Sequence, residues 1–249
     1  MFKISTETKT LLANLSNIEK QHLPFAVARA LTKTAQEAQG VVRDEMRIEF
    51  DRPTPYTLRG IRVVPATKQR LFAELKLQDQ GGRNRPSQYL RPNIEGGGRN
   101  LKGYERLLGN RFTVPGKDAP RDAYGNISGG TITRMLNDNG VLRGKTTERT
   151  PWEQKGSAQR LRDRKAKRAA SGKPVYFIGA PGDGRTKGVW ERRKIGKYWV
   201  TRPLLLFVDR PHYQPRFEWR YTIERTFKLR FKDHFEMSLR IAQATARKS

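Results

Sequence analysis

Chemistry in this chain would have to come from its three histidines, a knot of carboxylates, a glycine-rich loop or its many cations. His22, His212 and His234 are far apart, and none sits in a metal-binding spacing such as two histidines separated by three residues on one helix. Each is read as a surface or core residue, and neither a metal nor a cofactor is expected. Asp44, Glu45, Glu49 and Asp51 bunch together, and paired carboxylates serve glycosidases and nuclease metal sites. Arg43, Arg47 and Arg52 are interleaved with them, so a salt-bridged helix end is the expected role. A nuclease or wall hydrolase using Glu45 and Glu49 ranks third among the functional readings, because no general base or pocket motif accompanies them.

Gly179 to Arg185 follows a predicted strand, the setting of a phosphate-cradling loop, yet no Gly-Lys-Ser/Thr completes it and an exposed hairpin loop is expected. Asn137-Asp138-Asn139-Gly140 has the composition of a calcium loop without its spacing or terminal glutamate, and is read as a turn. No catalytic residue is assigned, and the chain is expected not to be an enzyme.

The cations are the stronger signal. The 249 residues carry a formal net charge of +27, no cysteine, 35% hydrophobic residues and a mean hydropathy of −0.80. A charge of that size points to acidic partners: phosphate backbones, acidic protein surfaces or anionic membranes. Between Trp152 and Arg202, 15 Lys or Arg stand against 4 Asp or Glu. Within this stretch Arg160, Arg162, Arg164, Lys165, Lys167 and Arg168 are the candidate nucleic-acid-binding residues, enough to neutralise several phosphates. Tyr176, Phe177, Trp190, Tyr198 and Trp199 lie nearby; base stacking needs exposed rings, whereas their alternation along apolar strands is a core pattern. Nucleic acid, an acidic protein partner and a merely solvated face are the three readings of this segment. The start of the chain, MFKISTETKT, has no apolar stretch of a signal peptide, and no run reaches the roughly 18 apolar residues of a spanning helix, so a soluble protein without a membrane partner is expected.

The elements that must position these groups follow from periodicity. Leu11, Leu12, Leu15 and Ile18 predict a helix from Ser5, as N-cap, to Lys20. Pro24 then starts a second, alanine-rich helix running through Val27, Leu31, Ala35, Val42 and Met46 and ending before Pro53. Residues 61–64 and 71–77 predict an antiparallel strand pair. The pattern weakens from 81 to 150, where one helix over Leu101–Leu108 stands out. Trp152–Ala170 is a helix former with almost no apolar face, expected to be solvated or partner-bound. Strands are predicted at Val175–Ile178, Gly188–Arg192 and Tyr198–Val208, completing the sheet, and a long terminal helix from Pro215.

The resulting expectation is an α+β fold, with N-terminal and long C-terminal helices packed on an antiparallel sheet and extended irregular basic insertions. Residues 1–80 would hold the helices and strand pair, 81–172 a glycine-rich basic arm, and 173–249 the strands and helix that complete the core.

Phe25-Ala-Val-Ala-Arg-Ala-Leu31, Gly188-Val-Trp-Glu-Arg192, Ile195-Gly-Lys-Tyr-Trp-Val200, Pro203-Leu-Leu-Leu-Phe-Val208 and the closing helix over Phe217–Ala246 together resemble the minor tail protein Z, or tail completion, family of tailed bacteriophages. The resemblance covers about the first 50 and last 75 residues. The segments Tyr89–Arg99 and Leu101–Leu107 depart from the shorter family form and look like an insertion. The resemblance implies a noncatalytic virion protein of the tail or neck, assembled in the host cytoplasm and completing or joining the tail near the head-tail junction. Its implied partners are other phage structural proteins (tail, adaptor or portal-proximal subunits), further copies of itself in a ring, and the phage DNA. The alternative is a stand-alone nucleic-acid-binding protein using the basic 155–202 segment.

Overall fold

The computed structural model describes residues 2–5, 17–80, 85–141, 151–181 and 187–246. The fold is α+β, and the chain divides into two compact units, Met1–Gly97 with Tyr213–Ser249, and Gly98–His212. The second is therefore an insertion into the first. These boundaries differ from the expected ones at 80 and 172, because the strands after 172 belong to a core of their own.

The first unit is built on helix α1 (Asn17–Glu49). Leu23, Val27, Leu31, Ala35, Ala38, Val42 and Met46 recur at three- and four-residue spacing and are all buried. The side chains opposite them come from helix α8 (Trp219–Ala246), through Trp219, Ile223, Phe227, Phe231 and Phe235. Ala26, Ala30, Ala35 and Ala38 have no exposed surface, which lets the neighbouring backbones approach closely. The second face of α1 lies on an antiparallel sheet ordered β1-β3-β2: β1 (Phe2–Ser5), β2 (Ile61–Val64) and β3 (Phe72–Leu77).

Two expectations fail at the start of the chain. Ser5 closes a strand rather than capping a helix, and residues 6–16 lie outside the described residues. Pro24 sits inside α1 instead of starting it; Leu23, Ala26 and Val27 around it are buried, so packing overrides the local penalty of a helical proline. The predicted pair at 61–64 and 71–77 is observed, with Ile61 opposite Leu77 and Val64 opposite Glu74.

Polar clasps fix how α1 meets α8. Glu37 accepts from Arg230 Nε at 2.7 Å and pairs with His234 Nε2 at 2.6 Å, while Glu45 accepts from Thr222 Oγ1 at 2.6 Å. Rising numbers on one helix meet falling numbers on the other, so the two run antiparallel. Burial opposes ionisation of Glu37, but His234 and Arg230 together hold its carboxyl below the usual range.

After the two-residue strand β4 (Gly97–Gly98), the inserted unit carries a four-stranded antiparallel sheet ordered β5-β8-β7-β6: β5 (Phe112–Pro115), β6 (Val175–Gly179), β7 (Gly188–Ile195) and β8 (Tyr198–Val208). Its three later strands lie where periodicity placed them, but they pair with β5 and not with the sheet of the first unit. A separate core of Leu108, Met135, Leu136, Tyr176, Val189, Leu204 and Leu205 forms against helices α5 (Gly103–Leu107) and α6 (Gly129–Asp138). The expected irregular arm is thus largely a folded unit. Strand β5 and helix α6 escape sequence reading because each is short and flanked by glycine and proline. The remaining helices are one-turn pieces, α2 (Pro55–Leu58), α3 (Pro86–Tyr89) and α4 (Arg91–Glu95), together with α7 (Pro151–Ala170).

Glu105 fastens this unit together. Its carboxylate is fully buried and accepts both terminal nitrogens of Arg99 at 2.6 Å, the backbone N–H groups of Lys102 and Thr113, and the Thr113 hydroxyl. Burial alone would raise its pKa, but these donors outweigh it and bring it down to about 2. A folded-state value below the unfolded one means that the unfolded chain binds the extra proton between them. The resulting stabilisation, about 3 kcal/mol, is complete above about pH 4.5 and is lost as pH falls toward 2. Glu105→Gln is accordingly expected to destabilise the protein at pH 7 in denaturant titrations, with the gap to wild type closing as pH approaches 2. A gap that does not vary with pH would contradict the assignment.

Candidate nucleic-acid interface

All six sequence-predicted cations lie on α7, and the structure divides them by role. Arg168 places one guanidinium nitrogen 2.7 Å from both carboxylate oxygens of Asp138 and donates through the other to Pro174 O at 2.6 Å. One turn earlier, Arg164 donates to Asn137 O at 2.9 Å and comes within 4.0 Å of Asp138. Asp138 is buried at the end of α6 and also accepts from the Tyr176 N–H. These two arginines therefore anchor a helix that has almost no apolar face. Lys165 is half-buried, and burial lowers its pKa.

Arg160, Arg162 and Lys167 are exposed and form no ion pair with the described residues. Arg160 and Lys167, seven apart, share one side of the helix, with Arg162 on another. The Asn137–Gly140 segment, read from sequence as a turn, thus contains the acid that holds the basic helix in place.

The aromatic residues divide in the same way. Tyr176 and Trp190 are buried, as a core pattern requires, and the Trp190 indole donates to Gly179 O at 2.9 Å. Tyr198 and Trp199, also expected in the core, are 66% and 44% exposed. The reason is topological. Strand β6 pairs with β7 only as far as Arg192, and β5 pairs with β8 only from Leu205 onward. Beyond those limits Arg193, Lys194 and Ile195 pair with Val200, Trp199 and Tyr198 alone, and a two-stranded ribbon leaves the sheet.

Gly196 and Lys197 form the ribbon's two-residue turn. Gly196 has φ +60° while Lys197 is not in the left-handed region, the pattern of a type II′ hairpin turn that matches the strand twist. Arg192 lies 4.8 Å from the centroid of the Trp199 ring, and Lys197 lies 5.3 Å from that of Tyr198. The signal was present in sequence as Ile195-Gly196-Lys197-Tyr198, two strand-forming residues around a glycine-led pair, but Arg193–Ile195 fell outside the predicted strand. At the root of the ribbon, Glu191 is buried and accepts from Arg202 at 3.0 Å.

The other candidates have different roles. Asp44 pairs with Arg47, Asp51 with Arg52, and Glu45 with Thr222, so this acidic knot serves helix-end and interhelix contacts. Gly179 ends β6 opposite Gly188 of β7, and most of the Gly179–Arg185 segment, residues 182–185, lies outside the described residues. Among the described residues, no group of three or more His, Asp or Glu is placed to hold a metal ion, and no helix is long and apolar enough to cross a membrane. Comparison with protein-family models, with curated proteins and with solved structures finds no match to this chain.

The division of the α7 cations predicts a division of mutational effects. Arg168→Ala leaves the buried Asp138 carboxylate without its main partner and is expected to cost about 3 kcal/mol of stability, whereas Arg160→Ala should stay within about 0.5 kcal/mol of wild type. Urea denaturation monitored by circular dichroism compares the two; equal effects would remove the anchoring role of Arg168.

Proposed function

We propose that this chain is a noncatalytic structural protein of a tailed-phage virion, completing or joining the tail at or near the head-tail junction and oligomerising around the DNA path. The observation that carries this reading is the inserted unit. It has its own core, and 26 Lys and Arg against 10 Asp and Glu between residues 98 and 212. Cations held on a folded platform and left without internal counterions suit a lining that meets an external polyanion.

The segments carrying the resemblance support the same reading. Phe25–Leu31 lies on α1, while Gly188–Arg192, Ile195–Val200 and Pro203–Val208 fall on the adjacent strands β7 and β8 and the turn between them. Copies of the chain would meet through apolar side chains left on the long helices: Ile48, Tyr221, Leu229 and Met237 are 58% to 83% exposed. Closed rings are the usual outcome of repeated identical contacts between subunits.

A second reading, a stand-alone nucleic-acid-binding protein, is favoured by one observation of its own: the exposure of Tyr198 and Trp199 beside Arg192 and Lys197. Fractionation of purified virions separates the two. The protein is expected to co-purify with particles and to give a multimeric ladder on cross-linking, and particles assembled without it should have tails that fail to join or to retain DNA. Normal tails, DNA retention and infectivity in its absence would sink the virion reading.

A further inference from the structure

We infer that the β7–β8 ribbon, residues 192–200, is a blade that enters a groove of double-stranded DNA, and that α7 is not the main DNA contact. The inference rests on the DNA-facing part of the proposed function and not on a place in the virion.

The argument begins with which side chains share a face. Residues paired across an antiparallel ladder point the same way, and successive residues alternate. Lys194 with Trp199, and Arg192 with Thr201, therefore occupy one face; Arg193 with Val200, and Ile195 with Tyr198, occupy the other. Cations stand on both faces, with Lys197 at the tip, and no acid lies between 192 and 200. None of these four cations has an ion pair among the described residues, and all four are exposed.

A flat acidic protein surface can engage only one face of such a ribbon at a time. A slot with negative charge along both walls engages both, and the grooves of duplex DNA are slots of this kind. The dimensions agree. A two-stranded ribbon is a recognised occupant of the major groove, which is about 12 Å wide and about 8.5 Å deep. The three free pairs and the turn reach about 10 Å at roughly 3.4 Å per residue.

The geometry also sets the kind of contact. Arg192 lies against the Trp199 ring, which restricts its guanidinium, and Lys194 and Lys197 are point charges suited to phosphate oxygens. Recognition is therefore of the backbone, independent of sequence. On α7, by contrast, Arg164 and Arg168 are consumed by Asp138, Asn137 and Pro174.

The test uses the full chain and a fluorescent duplex of about 30 base pairs, with binding followed by anisotropy across a salt series. Replacing Arg193, Lys194 and Lys197 together by alanine should flatten the slope of log K against log salt by about 2 to 3, at roughly 0.9 per lost phosphate contact. Replacing Arg160, Arg162 and Lys167 should leave most of the slope intact. All six positions are exposed, so thermal unfolding is expected to be unchanged in both variants. Duplexes of scrambled sequence should bind equally well.

An unchanged slope in the ribbon variant, the larger loss falling on the α7 variant, or no duplex binding by the wild-type chain would each overturn the inference. So would displacement of the duplex by poly-glutamate at equal charge, which would assign the ribbon to an acidic protein. A chain that binds DNA through the ribbon yet is absent from particles would sink the virion reading and leave this one standing. Incorporation into particles without duplex binding would do the reverse.

Discussion

A shortage of carboxylates governs the inserted unit. Of its ten acids, Glu105, Asp138 and Glu191 are buried, and each is held by an arginine: Arg99, Arg168 and Arg202. Buried pairs of this kind add little net stability over an apolar packing, yet removing one partner is costly. They therefore act as specific fasteners: Glu105 joins α5 to β5, Asp138 joins α6 to α7 and β6, and Glu191 joins β7 to β8. Each pair removes one charge of either sign, so the other 23 cations of the unit still face only 7 acids and the excess is left for the surface.

The first unit solves a different problem. The faces of α1 and α8 that meet are lined by apolar side chains, from Leu23 to Met46 on one helix and from Trp219 to Phe235 on the other. Phe227, Phe231 and Phe235 stack along α8 itself, with centroids 4.7 Å and 6.1 Å apart, and non-directional apolar contact discriminates weakly between adjacent registers of the two helices. The Glu37 contacts with Arg230 and His234, and that between Glu45 and Thr222, distinguish them, because hydrogen bonds tolerate far less displacement than apolar contact.

Much of this was legible in the amino-acid sequence, for physical reasons that also explain the gaps. The α+β class, the 61–77 strand pair, the strands after 172 and the terminal helix are announced by apolar residues in short runs or at helical spacing, and both are visible in a single chain. Which strands pair is not: nothing in Tyr198–Val208 announces that β5 will be its partner, so a second sheet was read as an extension of the first. The basic helix was located, but the distinction between Arg168 and Arg160 depends on Asp138, thirty residues before Arg168, in a segment whose composition suggests only a turn. Tyr198 and Trp199 misled because aromatic alternation is the same in a core strand and in a ribbon that outruns its sheet.

The insertion of one unit into the other also orders the protein in time. A ribosome completes residues 98–212, with every element of the second core, before it begins α8. Until then the apolar stripe of α1, from Leu23 to Met46, lacks the partner that covers it, because contacts such as Glu37 with His234 bridge 197 positions. Helix α1 is made before the inserted unit and covered by α8 only after it, so the nascent chain carries an uncovered alanine- and leucine-lined stripe throughout the synthesis of that unit.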